Sequence, residues 1–406
     1  MKRDVIIVGA GIVGLASALK ILSKKPGAKI LILEKEQKVA THQTGHNSGV
    51  IHSGLYYKPG SLKAKNCIEG YRQLVEFCQA EQIKHEICGK VVVATSKEQL
   101  PTLDVLFDRG RENGLDGLIK LDSKEALQAY EPHVNGIAGI FVPQTGIVDY
   151  KEVAEAYARK IKDLGGEIVF GRKVISIDAN RNWSYKEVIV KTDHEEYQSD
   201  ILVNCAGLFS DRVAQLTNMS PNLRIIPFRG EYYKIKPEKH HLVKNLIYPV
   251  PDPNFPFLGV HFTRMIHGGI EAGPNAVLAY AREGYSKSDI NFTEFLQSIS
   301  WPGFLKVASK YWKTGLGEFH RSYSKKAFTK ALQELLPEIS EDDLMDGGAG
   351  VRAQACDKNG GLLDDFMIME SENVINVCNA PSPAATASLS IGDHISEKVL
   401  TRKIFA

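Results

Sequence analysis

Near its start the chain has a short segment, Asp4 to Val8 (DVIIV), apolar from Val5 on, which reads as a buried strand. Gly9-Ala10-Gly11-Ile12-Val13-Gly14 follows, then an alanine- and leucine-rich helix to about Leu22, then a second buried strand, Lys29 to Leu33, ending at Glu34. This is a βαβ unit with parallel strands. A Gly/His/Ser-rich loop spans Thr41 to Gly54, and Leu62 to Glu81 has the period of an amphipathic helix. Lys90 to Ala94 reads as a strand, residues about 97–131 as helical, Ile137 to Val142 as a strand and Tyr150 to Leu164 as a helix stopped by Gly165-Gly166. Glu167 to Phe170, Lys173 to Asp178, Glu187 to Thr192 and Asp200 to Asn204 read as strands.

The middle of the chain changes character. Ile225 to Lys236, Leu246 to Pro249 and Phe257 to Ile266 read as antiparallel strands with polar faces. Residues about 291–336 are mainly helical, Gly347-Gly348-Ala349-Gly350 opens a final strand and loop region, and a helix after Ile391 closes the chain. No repeat, low-complexity tract or Pro/Ser-rich linker separates these parts, so the pattern predicts interleaved domains.

A length of 406 residues predicts about two or three domains. With 50 basic and 48 acidic side chains the net charge is +2, which gives no support to nucleic-acid binding. Hydrophobic residues at 43% and charged residues at 24% exclude disorder and a disulfide-stapled miniature fold. The six cysteines form no C-x-x-C pair and lack zinc-ligand spacing, so no metal site is expected; they read as buried thiols of a reducing cytoplasm. Met1-Lys2-Arg3, an apolar stretch and Ala16-Ser17-Ala18 imitate a secretory leader, but Asp4 and the three glycines argue for a strand and turn. No uncharged run reaches the ~18 residues of a transmembrane segment, so the expectation is a soluble or at most peripheral protein.

A lone G-x-G-x-x-G is weak, but here it follows a strand, opens a helix, and is answered by an acid 20 residues past Gly14. Gly9 permits the turn, Gly11 lets the backbone approach a pyrophosphate, and Gly14 lets the helix pack close. The helix N-terminus suits phosphate, and Glu34 suits ribose hydroxyls while disfavouring a 2′-phosphate. Gly348-Ala349-Gly350-Val351-Arg352-Ala353 also fits G-x-G-x-x-A, but Glu341-Asp342-Asp343 precedes it and no helix follows. One dinucleotide site fits a tightly bound flavin better than a reductase using soluble NAD(P)H.

Longer motifs narrow the reading. HQTGHNSGVIHSGLYYKPGSLKA (His42 to Ala64), CGKVVVAT (Cys88 to Thr95), PFRGEYY (Pro227 to Tyr233), FLGVHFTRMIHG (Phe257 to Gly268), GPNAVLAYAREGY (Gly273 to Tyr285), AGVRAQA (Ala349 to Ala355) and CNAPSPAATAS (Cys378 to Ser388) span nearly the whole chain. Together they resemble the L-2-hydroxyglutarate oxidase/dehydrogenase family, within the FAD-dependent D-amino-acid-oxidase-like superfamily. His267 departs from the acid expected there. The resemblance implies an α/β fold: an FAD-binding Rossmann-like domain (residues 1–88, 146–218 and 345–406) interleaved with a mixed, mainly antiparallel α+β substrate domain (89–145 and 219–344). FAD is the implied cofactor. The implied activity is oxidation of a small 2-hydroxy diacid, L-2-hydroxyglutarate, to 2-oxoglutarate, with hydride passing to flavin N5 and electrons to a quinone, a respiratory chain or oxygen. A quinone would bring the protein to the inner face of a membrane. An amino-acid or amine oxidase on the same fold and a non-catalytic flavin-binding protein remain alternatives.

The same resemblance places Ala206 and Gly207, in the turn after Val203-Asn204-Cys205, against the cofactor, with Val174 as an adenine contact. It places the His46–Gly54 loop, with Ser48 and Gly49, under the isoalloxazine. His52 is then a flavin or substrate contact, or a structural histidine. On Phe257 to Met265, strand alternation puts His261 and Thr263 on one face and Arg264 on the other. His261 is the provisional base for the hydroxyl proton, with burial as a structural histidine the alternative. Arg352 offers a planar fork for a carboxylate or a salt bridge between domains. Arg229 is a second candidate, unless Glu231 two residues on neutralises it, and Asn275 either bonds a carboxylate or caps a turn.

Overall fold

In the computed structural model, which describes residues 2–181, 187–252 and 258–402, the N-terminal pattern folds as it reads. Arg3–Val8 is a strand, Ile12–Lys24 a helix and Ile30–Leu33 a strand buried at every position. Arg3–Val8 pairs parallel with Ile30–Leu33 on one side and Glu196–Asn204 on the other. A run apolar at every position is what a strand needs when both faces are covered. One face carries the helices Ile12–Lys24, Tyr150–Asp163 and Ser388–Leu400, whose Leu15, Ile21, Tyr157 and Ile395 share one core with Val5 and Ile7. The first and last helices approach so closely that a Cβ on Gly392 would lie 2.7 Å from the Ala16 carbonyl oxygen. The other face buries Ile6, Val8, Leu31, Val190 and Val213. Strands Val174–Arg181, Glu187–Thr192 and Met367–Glu370, Val374–Asn379 extend this sheet to eight strands among the described residues, and Glu167–Val169 lies at its far edge.

A second sheet, nine-stranded among the described residues, forms the other body. Apart from Lys90–Ala94 against Leu246–Pro249 its pairings are antiparallel. Its spine is Leu223–Ile235, which pairs along its length with Leu344–Asp357, from Leu223 opposite Asp357 to Ile235 opposite Leu344. This pairing corrects one expectation. The glycine stretch 347–350 lies inside a 14-residue strand and does not open it. That strand, which spans residue 345, is bonded to the second sheet along its length. Small residues are required because the strand is crowded: a Cβ on Gly347 would meet the Tyr232 carbonyl oxygen at 2.6 Å, and one on Gly350 the His46 oxygen at 2.4 Å.

Two local differences have simple causes. Residues 97–131 are helical at Leu100–Glu112 and Lys124–Gln128, but Ile119–Leu121 between them is an edge strand too short to show a period. The strand expected from Phe257 to Ile266 is shorter, running only His261–Arg264, and Phe257 lies outside the described residues. It stops at Arg264 because a turn begins there: the Met265 and Gly269 backbones bond to each other and return the chain into Ile270–Gly273.

The two bodies are tied by charge. Arg282 reaches across to Asp211, the guanidinium and carboxylate meeting at 2.5 and 2.8 Å with both side chains buried. Nearby, Glu283 holds Lys35 and His42 at 2.5 and 2.9 Å. All six cysteines are free thiols.

Candidate active site

A cavity of about 1090 Å³ lies between the two sheets, just above the ~300–1,000 Å³ usual for ligand sites. One part of its wall is the dinucleotide unit. Gly9 has φ +102°, and a Cβ there would lie 2.6 Å from the Cys205 carbonyl oxygen. A Cβ on Gly14 would lie 2.1 Å from the Gly9 oxygen, so this glycine serves close helix packing and is not in the wall. Gly11 is different: a Cβ there would meet only Thr44 Oγ1, at 3.6 Å. No protein atom requires glycine at this position; the open cavity beside it does, and that fits a dinucleotide cofactor.

Glu34 is buried, and its carboxylate accepts the backbone N–H groups of Ala10 (2.7 Å) and Glu36 (2.9 Å) while lining the cavity. Its orientation is thereby set before any ribose binds. The Ile12 amide at the helix N-terminus donates to Thr44 Oγ1 at 3.0 Å, so one of the expected free N–H groups is already capped. Val174, Ala206, Gly207 and Ser48 all reach the wall. Gly49 does not: its φ of +66° and the Val148 carbonyl oxygen, 2.5 Å from a Cβ placed there, make it a turn residue.

The other part of the wall carries a guanidinium and an imidazole. His52 and Arg352 both face the cavity. Arg352 keeps accessible surface while lining the cavity, and desolvation pulls its guanidinium pKa down. His52 is held to a pKa of about 3, first by burial and then by electrostatic interaction with nearby groups, Lys90 foremost and Arg352 among them. His261 sits behind the wall, stacked on Tyr248 with ring centroids 3.9 Å apart. Burial takes its pKa to about 4. Thr263 is buried beside Tyr248, also outside the wall, while Arg264 turns away to pair with Glu86, as strand alternation requires.

Lys90 is the residue that sequence reasoning missed. It is 1% exposed, and its ammonium lies over the rings of Tyr56 (4.4 Å) and Tyr248 (4.9 Å). Among the described residues no carboxylate pairs with it, and burial lowers its pKa to about 7. The signal was present: a lysine heading the buried run KVVVA is rare without a partner or a task.

Of the readings left open for Arg229, the geometry matches neutralisation. Its Nε donates to Glu231 Oε1 at 3.1 Å, Nη2 lies 3.0 Å from the same oxygen, and Nη1 donates to the Ser286 carbonyl at 2.9 Å. Asn275 joins that network, donating to Glu231 Oε2 and accepting from the Glu231 amide. Both residues still line the cavity, but their polar groups are engaged with protein. His267 lies on the surface between Asp149 (3.4 Å) and Glu152 (3.2 Å), away from the wall.

Comparison with known proteins identifies this architecture. A family model described as FAD dependent oxidoreductase matches residues 4–398. An L-2-hydroxyglutarate dehydrogenase of Indibacter alkaliphilus is 62% identical over 99% of this chain and 100% of its own. The chain belongs to the FAD dependent oxidoreductase family, in its L-2-hydroxyglutarate dehydrogenase branch. Other members of the branch are the human mitochondrial protein, 45% identical over 98% of this chain and 89% of its own, and that of Escherichia coli K12, at 43%, 98% and 93%. FAD is therefore the cofactor of this family member, and the glycine turn, Glu34 and the Val174 edge are the parts of the cavity suited to hold it. Among solved structures, the reduced L-alpha-glycerophosphate oxidase of Mycoplasma pneumoniae with FAD bound shares the fold, with a TM-score of 0.80 at 21% identity over 99% of this chain and 96% of that one. Glycine oxidase from Geobacillus kaustophilus follows at 0.73 and 15%, over 99% and 95%.

Proposed function

We propose that this chain oxidises L-2-hydroxyglutarate to 2-oxoglutarate. The observation that carries the reading is the grouping of two basic side chains, Arg352 in the cavity wall and Lys90 buried behind it, with the neutral imidazole of His52. Arg352, joined by Lys90 when that lysine is protonated, matches a substrate with two carboxylates. FAD, when bound, supplies the two-electron acceptor. The protein supplies position and proton transfer. Arg352 grips a carboxylate through its planar fork, and Lys90 adds attraction from behind the wall. His52 meets the cavity and is assigned the hydroxyl proton, while His261 is stacked on Tyr248 outside the wall. Gripped by Arg352, the substrate presents its hydroxyl-bearing carbon in one orientation.

The electrons pass to a quinone or to oxygen. We place the protein in the cytoplasm, in peripheral contact with the membrane when the acceptor is a quinone. The six free thiols support a reducing compartment. No described helix is long and apolar enough to cross a membrane. The test is anaerobic mixing of the FAD-loaded protein with each 2-hydroxyglutarate enantiomer, and with glutamate, while following flavin absorbance. Bleaching by the L-enantiomer is the expected result; bleaching by glutamate alone would transfer the assignment to an amino-acid oxidase.

A further inference from the structure

The helix Pro302–Tyr323 is apolar on two faces: Phe304, Val307 and Tyr311 pack inward against Ile226, Trp301 and Cys356. Gly303, Val307, Glu318 and Ser322 are its buried residues. Four further large apolar side chains face outward: Leu305, Trp312, Leu316 and Tyr323 are 55%, 55%, 61% and 65% exposed. Their spacings of 7, 4 and 7 residues bring them onto one stripe, with a bend in the helix at Tyr311. The adjoining helix Phe292–Ile299 adds an exposed Phe292 at its start. Single exposed leucines are ordinary; a continuous stripe of this kind marks an interaction surface.

The charge around the stripe selects the partner. Between residues 302 and 326 stand six basic side chains, Lys306, Lys310, Lys313, Arg321, Lys325 and Lys326, against one acid, Glu318. Glu318 is buried and paired with Arg321, so the outward charge is positive although the whole chain is nearly neutral. Lysine is depleted from the cores of protein–protein interfaces, whereas tryptophan, tyrosine and lysine together suit the boundary between lipid and water.

We propose that this face docks on an anionic lipid surface, with Leu305, Trp312, Leu316 and Tyr323 entering the interface and the lysines meeting lipid phosphates. The position is productive. Glu318 accepts the backbone N–H of Ala276 at 2.9 Å, and Ala276 and Asn275 line the cavity. Docking therefore brings the cavity to within one helix of the lipid. The inference rests on the peripheral membrane contact proposed above, and not on the identity of the hydroxy acid.

The experiment is co-sedimentation of the full-length, FAD-loaded protein with phosphatidylcholine vesicles, with and without phosphatidylglycerol. Binding should require phosphatidylglycerol and weaken as salt rises. The double variants Trp312→Ser with Leu316→Ser, and Lys310→Glu with Lys313→Glu, should each bind at least about tenfold more weakly, since both apolar burial and surface charge contribute. Flavin content and anaerobic reduction by substrate should stay unchanged in both. In the unaltered protein, vesicles should shift tryptophan emission to the blue, and Trp312→Phe should remove the shift. No binding by the parent, or equal binding by parent and variants, overturns the proposal. So does a parent dimer in sedimentation velocity that the variants convert to monomer, which would assign the face to a second copy of the chain. If substrate fails to bleach the flavin while vesicle binding behaves as described, the substrate assignment falls and the lipid face stands.

Discussion

His261 Nδ1 lies 2.9 Å from the carbonyl oxygen of Gly259, two residues earlier on the same segment. A carbonyl only accepts, so Nδ1 carries the proton and Nε2 is left as an acceptor. With the ring stacked on Tyr248, His261 is a neutral imidazole of set tautomer and orientation. Of His52 and His261, His52 is the one that reaches the cavity wall.

That division predicts unequal effects of removing the two rings. His52→Ala should retain FAD and slow flavin reduction by roughly 100-fold or more at saturating substrate, the range for a positioned general base. His261→Ala should cost less, because it acts through packing on Tyr248. Anaerobic stopped-flow traces of flavin absorbance measure both. A larger loss in His261→Ala would return the proton to His261.

The same histidines predict acid sensitivity. Both are held below their ordinary value of 6.5, to about 3 for His52 and about 4 for His261. In the unfolded chain they take up protons near 6.5, while in the fold they stay neutral until far lower pH. Their contribution is therefore present above pH 6.5 and is lost as pH falls towards 4. Thermal melts across this window should show the loss, and His52→Gln with His261→Gln should flatten it.

Lys90 predicts the corresponding change on the basic side. Its folded pKa of about 7 lies below the ordinary 10.5, so between those values the unfolded chain holds a proton that the fold has released. Stability of the substrate-free protein should rise with pH across that range, and Lys90→Met should remove the slope. Substrate affinity should move the other way. A dianion favours the protonated lysine, so KM should increase as pH passes about 7, and the variant should have a high, flatter KM at unchanged FAD content. A KM profile unaltered by Lys90→Met would remove this residue from substrate binding.

Arg352→Lys keeps the charge and loses the planar two-donor fork. A charge-assisted hydrogen bond is worth about 1.5–3 kcal/mol, which corresponds to a roughly 10- to 150-fold fall in kcat/KM. Loss confined to KM would indicate a contact equally strong in ground and transition states; loss in kcat as well would indicate orientation of the reacting carbon. Melting temperature measured beside the kinetics separates a substrate clamp from a lock between the two bodies, because a lock lowers the melting temperature and leaves kinetics intact.

The cofactor half of the site was legible because its determinants are local. Gly9, Gly11 and Gly14 lie within one turn and the start of its helix, and Glu34 ends the next strand, so spacing along the chain carries their geometry. Alternation likewise separated His261 from Arg264, since neighbouring strand residues face opposite ways. The substrate half was less legible. Whether Arg229 is available depends on Glu231, which is near in sequence, but also on Ser286 and Asn275, which are not. The glycine stretch 347–350 reads as a strand opening because nothing local reveals the crowding by Tyr232 and His46 that demands small residues there.

By itself the sequence determined the parallel βαβ unit, the single dinucleotide site, the alternation of two kinds of sheet and, through its long motifs, the family. Only the tertiary structure decided which charges share a space. Lys90 and Arg352 are far apart in the chain, as are Arg282 and Asp211, yet the first two lie near His52 and the second two form a buried pair. The physical reason is that periodicity records which face of an element is buried, but not what another element brings to that face. Burial and electrostatic interaction act between elements through space, so a lysine in an apolar strand acquires its lowered pKa and its partners only once the sheets have closed around it.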